Sequence, residues 1–128
     1  MSNLLILVSH SPQITEGLKE LLETMVPDDN NRFEVIAAGG TDDGEIGTSV
    51  NKILDPILAN PDKEIFIFTD MGSAVLSAET ALDFLDDDAK SHTHLVKGPL
   101  VEGAYVGAVQ STIDRTPEEL LQAVKKQS

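Results

Sequence analysis

His10 stands between the apolar run Leu4-Leu5-Ile6-Leu7-Val8 and the pair Ser11-Pro12. A short continuous apolar run reads as a strand buried on both faces. Ser followed by Pro reads as a helix N-cap with Pro at the first helical position. His10 therefore falls where a strand gives way to a helix N-terminus. Free N–H groups and the positive end of the helix dipole favour an arriving anion there and disfavour an imidazolium. The residue can be a nucleophile, an acid–base group, or simply the residue before a cap. Asp70, which closes the run Glu64-Ile65-Phe66-Ile67-Phe68-Thr69, sharpens the reading. With its strand beside the first, its carboxylate accepts one ring N–H, fixes the tautomer and leaves the other nitrogen free to attack. Such a pair, with no further base in the motif, suits phosphoryl transfer through a phosphohistidine. Positioning and charge stabilisation supply most of that catalysis.

Other chemistries fit less well. The chain has no Cys, which removes thiolate nucleophiles, zinc ribbons, Fe–S clusters and disulfides. There is no G-x-x-x-x-G-K-[ST] loop, and Gly39, Gly40, Gly44 and Gly47 do not make G-x-G-x-x-G. The strand-end loops up to Ser73 hold Asp42, Asp43 and Asp70 but no Lys or Arg, so neither an intrinsic ATP site nor any cofactor is expected. His10 lacks the R-H-G context of the common histidine phosphatases. Asp42, Asp43 and Glu45 read as caps and solvated loop rather than metal ligands. His92 and His94, spaced to share a strand face, have no neighbouring carboxylate pattern or Cys and read as surface or partly buried side chains. No metal is expected.

The elements that must position His10 and Asp70 alternate along the chain. After the first strand, Ile14, Leu18, Leu21, Leu22 and Met25 recur at helical spacing as one apolar face, ended by Pro27. Phe33 to Ala38 reads as a second strand that stops at Gly39-Gly40. A polar loop, Thr41 to Glu45, leads to a helix carrying Ile46, Val50, Ile53, Leu54, Ile57 and Leu58, with Pro56 expected to kink or end it. The third strand runs from Glu64 to Thr69. A third helix follows from Ser73 to Leu85, packing through Ala74, Ala78, Ala81, Leu82 and Leu85. His94-Leu95-Val96 is a short fourth strand, followed by Gly98-Pro99 and a small-residue helix from about Glu102 to Thr112. Thr116-Pro117-Glu118-Glu119 is a capping box opening a last helix through Leu120, Leu121 and Val124. This alternation predicts an open α/β sheet of mainly parallel strands with right-handed crossovers, helices on both faces, and its site outside the carboxyl ends of the strands.

Composition limits the partners. In 128 residues, 22 acidic side chains against 9 basic ones give a net charge of -13, which repels nucleic acid and anionic membrane surfaces. Aromatic residues are 4% with no Trp, which argues against base stacking. The N-terminal apolar run is too short to span a bilayer and lacks a basic leader and a cleavage site. A cytoplasmic protein with a single domain over residues 1–128 is expected.

Four segments taken in order are more specific. Val8-Ser9-His10-Ser11, then Ala37 to Ser49 with its Gly39-Gly40-Thr41-Asp42-Asp43-Gly44 loop, then Thr69-Asp70-Met71-Gly72-Ser73-Ala74, then Gly98 to Ala104 span nearly the whole chain. Together they make it resemble the phosphotransfer subunit of phosphoenolpyruvate-dependent dihydroxyacetone kinases, a domain similar to the enzyme IIA component of mannose-type sugar phosphotransferase systems. The resemblance implies a four-stranded core of order 2-1-3-4 and a homodimer. It implies that His10 accepts a phosphoryl group from the phosphocarrier protein HPr and passes it to ADP held in the nucleotide-binding kinase subunit. Some members carry further phosphocarrier-like domains after this one, so a chain ending at Ser128 is expected to rely on separate phosphotransferase proteins. A mannose-type IIA component passing phosphate to a IIB protein is the alternative, and a regulatory module with His10 as signal or scaffold is a third. Asp70 is expected to orient His10, and Ser11, Gly39, Gly40, Thr41, Asp42, Gly72 and Ser73 to form the phosphate and partner site. In that reading Ser11, Thr41 and Ser73 donate to phosphoryl oxygens. Gly39, Gly40, Gly44 and Gly72 keep the edge low in bulk, so that Gly40→Leu impairs transfer more than folding.

Overall fold

Leu4, Leu5, Ile6, Leu7 and Val8 have no solvent exposure, as a strand must when helices cover both faces of its sheet. The computed structural model describes residues 2–126. Along it run β1 (Asn3–Val8), α1 (Pro12–Met25), β2 (Phe33–Ala37), α2 (Val50–Leu58) and β3 (Glu64–Thr69), then α3 (Ser73–Asp83), α4 (Asp87–Ser91), β4 (Thr93–Val96), α5 (Leu100–Ser111) and α6 (Pro117–Lys125). The strands form one sheet of order β2-β1-β3-β4, every pair parallel. The fold expected from the alternation, and the strand order implied by the resemblance, are both present.

Alternate side chains of each strand divide the core in two. Leu5, Leu7, Phe66 and Phe68 pack with Leu18 and Leu22 of α1, Ala104 and Ala108 of α5, and Leu120 and Val124 of α6. Leu4, Ile6, Val8, Ile65 and Ile67 pack with Ile53 and Ile57 of α2 and with Ala74, Ala78 and Ala81 of α3. The small residues of α3 and α5 let backbones lie close to the sheet, as at Gly107, where a Cβ would lie 2.7 Å from the Phe68 ring.

Several details differ from the sequence reading. Only Leu18 and Leu22 of the expected α1 face are buried, joined by Thr15, whereas Ile14, Leu21 and Met25 are exposed; the helix offers the sheet a narrower stripe than its apolar residues suggest. Ile46 belongs to no helix and is 74% exposed, because Ser49 caps α2 from outside by accepting the Lys52 N–H. Pro56 lies inside α2, which continues to Leu58; so near the C-terminus, Pro costs little more than one backbone bond. The third helix stops at Asp83, and Asp86 then caps the unforeseen α4 through the Ala89 N–H. His92 is the C-cap of α4 rather than a strand residue, so it and His94 share no strand face.

Candidate active site

Val8 and Thr69 are register partners across β1 and β3, so the residues that follow them, Ser9 and Asp70, leave the sheet side by side. The Asp70 N–H bonds back to the Val8 carbonyl at 3.1 Å. Asp70 then gathers donors. Its Oδ2 accepts the Ser9 hydroxyl at 2.9 Å and the His10 N–H at 3.1 Å, and its Oδ1 accepts the Met71 N–H at 2.7 Å. The His10 Nδ1 lies 3.2 Å and 3.3 Å from the two oxygens. Burial alone raises the carboxyl's pKa, but the bonds from the His10 N–H, the Ser9 hydroxyl, the Met71 N–H and the His10 ring outweigh it and hold the group below its ordinary value. An ionised carboxylate accepts only, so Nδ1 carries a ring proton, and in the neutral imidazole Nε2 keeps its lone pair.

That lone pair meets Ser73, whose Oγ is 2.7 Å away at the exposed edge. Ser73 opens α3 after Gly72, whose φ of 51° turns the chain into the helix without a side-chain cap. Within the described residues the Gly72 and Ser73 N–H groups have no acceptor. The Nε2 of His10 thus meets a hydroxyl on the first residue of α3, whose N-terminal amides at Gly72 and Ser73 are free among the described residues, a setting suited to phosphoryl oxygens.

The expected site residues separate into two groups. His10, Asp70, Gly72 and Ser73 meet at the ring, and Ser11 adjoins them while capping α1 through the Ile14 N–H at 3.3 Å. The β2 loop supports from beneath. Gly39 and Gly40 are buried. A Cβ on Gly39 would lie 2.5 Å from the Ser11 carbonyl oxygen, and one on Gly40, whose φ is +78°, would lie 2.7 Å from that of Glu45. These glycines permit close approach of the β2 loop to the start of α1, so the reading of Gly40 as open docking surface is replaced by a packing role. Gly44, also at positive φ, and Gly72 do open onto free space. Thr41 is tied to its own loop, its Oγ1 accepting the Glu45 N–H at 3.1 Å. Asp42 accepts the Ser49 hydroxyl.

Sequence reasoning missed the residues that hold this loop. Ser9, Gly47 (whose N–H donates to the His10 carbonyl at 2.8 Å), Thr15 (accepting the Gly39 N–H at 3.1 Å) and Lys52 (donating to the Gly39 carbonyl at 2.8 Å) all carry part of it. Their spacing gave no signal, since each acts across an element boundary.

The chain matches the family model described as the PTS system fructose IIA component over residues 4–121, and it belongs to that family. Its relatives narrow this further. The phosphoryl donor subunit DhaM of the PEP-dependent dihydroxyacetone kinase 2 of Listeria innocua is 47% identical over 119 residues, which cover 92% of this chain and 93% of that one. The phosphotransferase subunit DhaM of the Lactococcus lactis PTS-dependent dihydroxyacetone kinase is 30% identical, over 95% and 93% of the two chains. The DhaM of Escherichia coli is 37% identical, but the chain spans only 23% of it. A crystal structure of a protein of unknown function superposes with a TM-score of 0.92 at 40% identity, covering 100% of this chain and 96% of the other.

Proposed function

We propose that the chain is a phosphohistidine carrier, the phosphoryl donor subunit of a dihydroxyacetone kinase, taking its phosphoryl group from HPr and delivering it to ADP bound in the nucleotide-binding kinase subunit. The observation that carries this reading is the division of labour on one ring: Asp70 occupies Nδ1, and Nε2 faces the open start of α3. The relatives' names, a phosphoryl donor subunit in Listeria innocua and a phosphotransferase subunit in Lactococcus lactis, each of a dihydroxyacetone kinase, support the choice of a kinase as acceptor.

In acceptance, the Nε2 lone pair attacks the phosphorus of the donor's phosphohistidine. The donor N–P bond breaks, and its electron pair returns to the donor imidazole. Ser73 must first release Nε2, and its hydroxyl then donates to a phosphoryl oxygen beside the Gly72 and Ser73 amides. As the new bond forms the ring becomes cationic, and the ionised Asp70 stabilises it through Nδ1–H. In delivery, a β-phosphate oxygen of ADP attacks the phosphorus and the electron pair of the His10–P bond returns to Nε2. Met71, the neighbour of Asp70 in the chain, is exposed and offers a docking protein apolar surface.

The test is incubation with phosphoenolpyruvate, enzyme I and HPr, followed by addition of the ADP-loaded kinase subunit. One acid-labile phosphate per chain on Nε2 of His10, discharged to ATP, is the expected result. Absence of uptake overturns the carrier reading; discharge to a mannose-type IIB protein but not to kinase-bound ADP overturns the assigned acceptor.

A further inference from the structure

Ser9 is fully buried, and its hydroxyl is held from two sides. The Ser11 N–H donates to Ser9 Oγ at 3.1 Å, which directs the hydroxyl's own proton to Asp70 Oδ2, 2.9 Å away. The other donors to that carboxylate are the His10 and Met71 amides and the His10 ring. One amide is that of His10 itself, the other that of Met71, the next residue after Asp70, and the ring is the group being oriented. Among the described residues, Ser9 is the one further side chain that fixes Asp70 independently of His10. It also ties the carboxylate to the backbone at the cap of α1, so ring, carboxylate and helix start form one hydrogen-bonded unit.

We propose that Ser9 is a positioning residue for the phosphoryl transfer proposed above, anchoring the Asp70 carboxylate so that it stays ionised and aimed at His10 Nδ1. The inference rests on that reading of His10. Without the hydroxyl, Oδ2 loses a donor and the Ser11 N–H loses its buried acceptor. Protonation of Asp70 becomes easier, and a neutral carboxyl is a poorer acceptor for Nδ1–H as positive charge develops on the ring.

Two variants separate hydroxyl donation from packing. Ser9→Ala removes the group, and Ser9→Cys nearly preserves volume while substituting a weak donor. Nuclear magnetic resonance titration of the Asp70 carboxyl carbon is expected to show an upward-shifted midpoint in both variants. Single-turnover uptake from phosphorylated HPr should fall on the order of tenfold in both, as expected for a lost bond to a charged group. The acid limb of uptake against pH should move upward with the carboxyl. An unshifted Asp70 titration in either folded variant overturns the proposal, whatever happens to the rate, because it leaves Ser9 only a packing role. The titration needs no phosphoryl donor. A wild-type protein that takes up no phosphate while Ser9→Ala still shifts Asp70 therefore strikes the carrier reading and leaves the anchoring intact.

Discussion

His10 with Asp70 and His94 with Glu64 pair the same chemistry at similar separations, 3.2 Å and 2.8 Å, with side-chain exposures of 30% and 15% against 21% and 24%. Their surroundings differ. His94 lies within β4 opposite Phe66, and the rings stack with centroids 5.0 Å apart. Its carboxylate partner is the first residue of β3, at the amino end of the sheet. His10 lies beyond the carboxyl end of β1, where α1 and α3 begin and Ser73 stands at its second nitrogen. A carboxylate at hydrogen-bond distance orients an imidazole in either place. What separates them under the proposed function is the setting of the ring: His10 Nε2 lies 2.7 Å from Ser73 at the start of α3, where a helix N-terminus can receive an anion, whereas His94 is stacked on Phe66 inside the sheet.

The largest expected effect comes from deleting each ring in turn. His10→Ala should abolish phosphate uptake from HPr, whereas His94→Ala should retain it within about twofold once the protein is shown to be folded; label on the His10→Ala protein would overturn the distinction. The carboxylates give the next contrast. Asp70→Asn should slow uptake on the order of a hundredfold, since an amide presents the wrong group to Nδ1 and cannot stabilise the cationic ring. Glu64→Gln should leave the rate near wild type, and equal losses in the two variants would mean that pairing alone matters.

The β2 loop supports His10 through the Gly47 N–H bond to its carbonyl, and Gly40 tests that support. Gly40→Leu must adopt a positive φ and displace Pro12 or the Glu45 carbonyl, so it should lower unfolding free energy by about 3 kcal/mol or more. Gly44→Ala, with open space around it, should lose about 1 kcal/mol. Denaturant melts compare the two, and a stable Gly40→Leu protein with impaired transfer would restore the docking-surface reading. At Nε2, Ser73→Ala should reduce uptake roughly tenfold while leaving the melt nearly unchanged; an unaltered rate would remove the hydroxyl from the transfer step.

The smallest effect is in acid stability. Asp70 is held below its ordinary value of 3.8 by its donors, so the native state binds fewer protons there than the unfolded chain does. The stability this adds is complete above that value and is lost as pH falls through the lower native-state value. Asp70→Asn should therefore flatten the fall in stability below about pH 3.8, read from melts at successive pH values. An identical slope would show that Asp70 is no more tightly bonded than a surface carboxylate.

The sequence by itself determined the order of the elements apart from the short α4, the burial of β1 and β3, the caps at Ser11 and Thr116, and the location of His10 and Asp70 at strand ends. Those features are local: apolar runs, cap chemistry and Pro positions act within a few residues. The choice of strand neighbours came from family resemblance, because periodicity shows that a strand is buried but not which strand lies beside it. Tertiary structure decided the rest. The β1–β3 register placed Ser9, His10 and Asp70 together, and the seating of α3 on the sheet brought Ser73 to Nε2. It separated Gly40, packed under Pro12, from Gly44 in the open, though both are glycines in one loop with positive φ. It left Ile14, Leu21 and Met25 of α1 outside the core, because the sheet accepts only the stripe it faces. It paired His94 with Glu64, 30 residues apart in the chain. A side chain's type states what it can donate, accept or attack, and only the packing of distant segments states what stands within 3 Å of it.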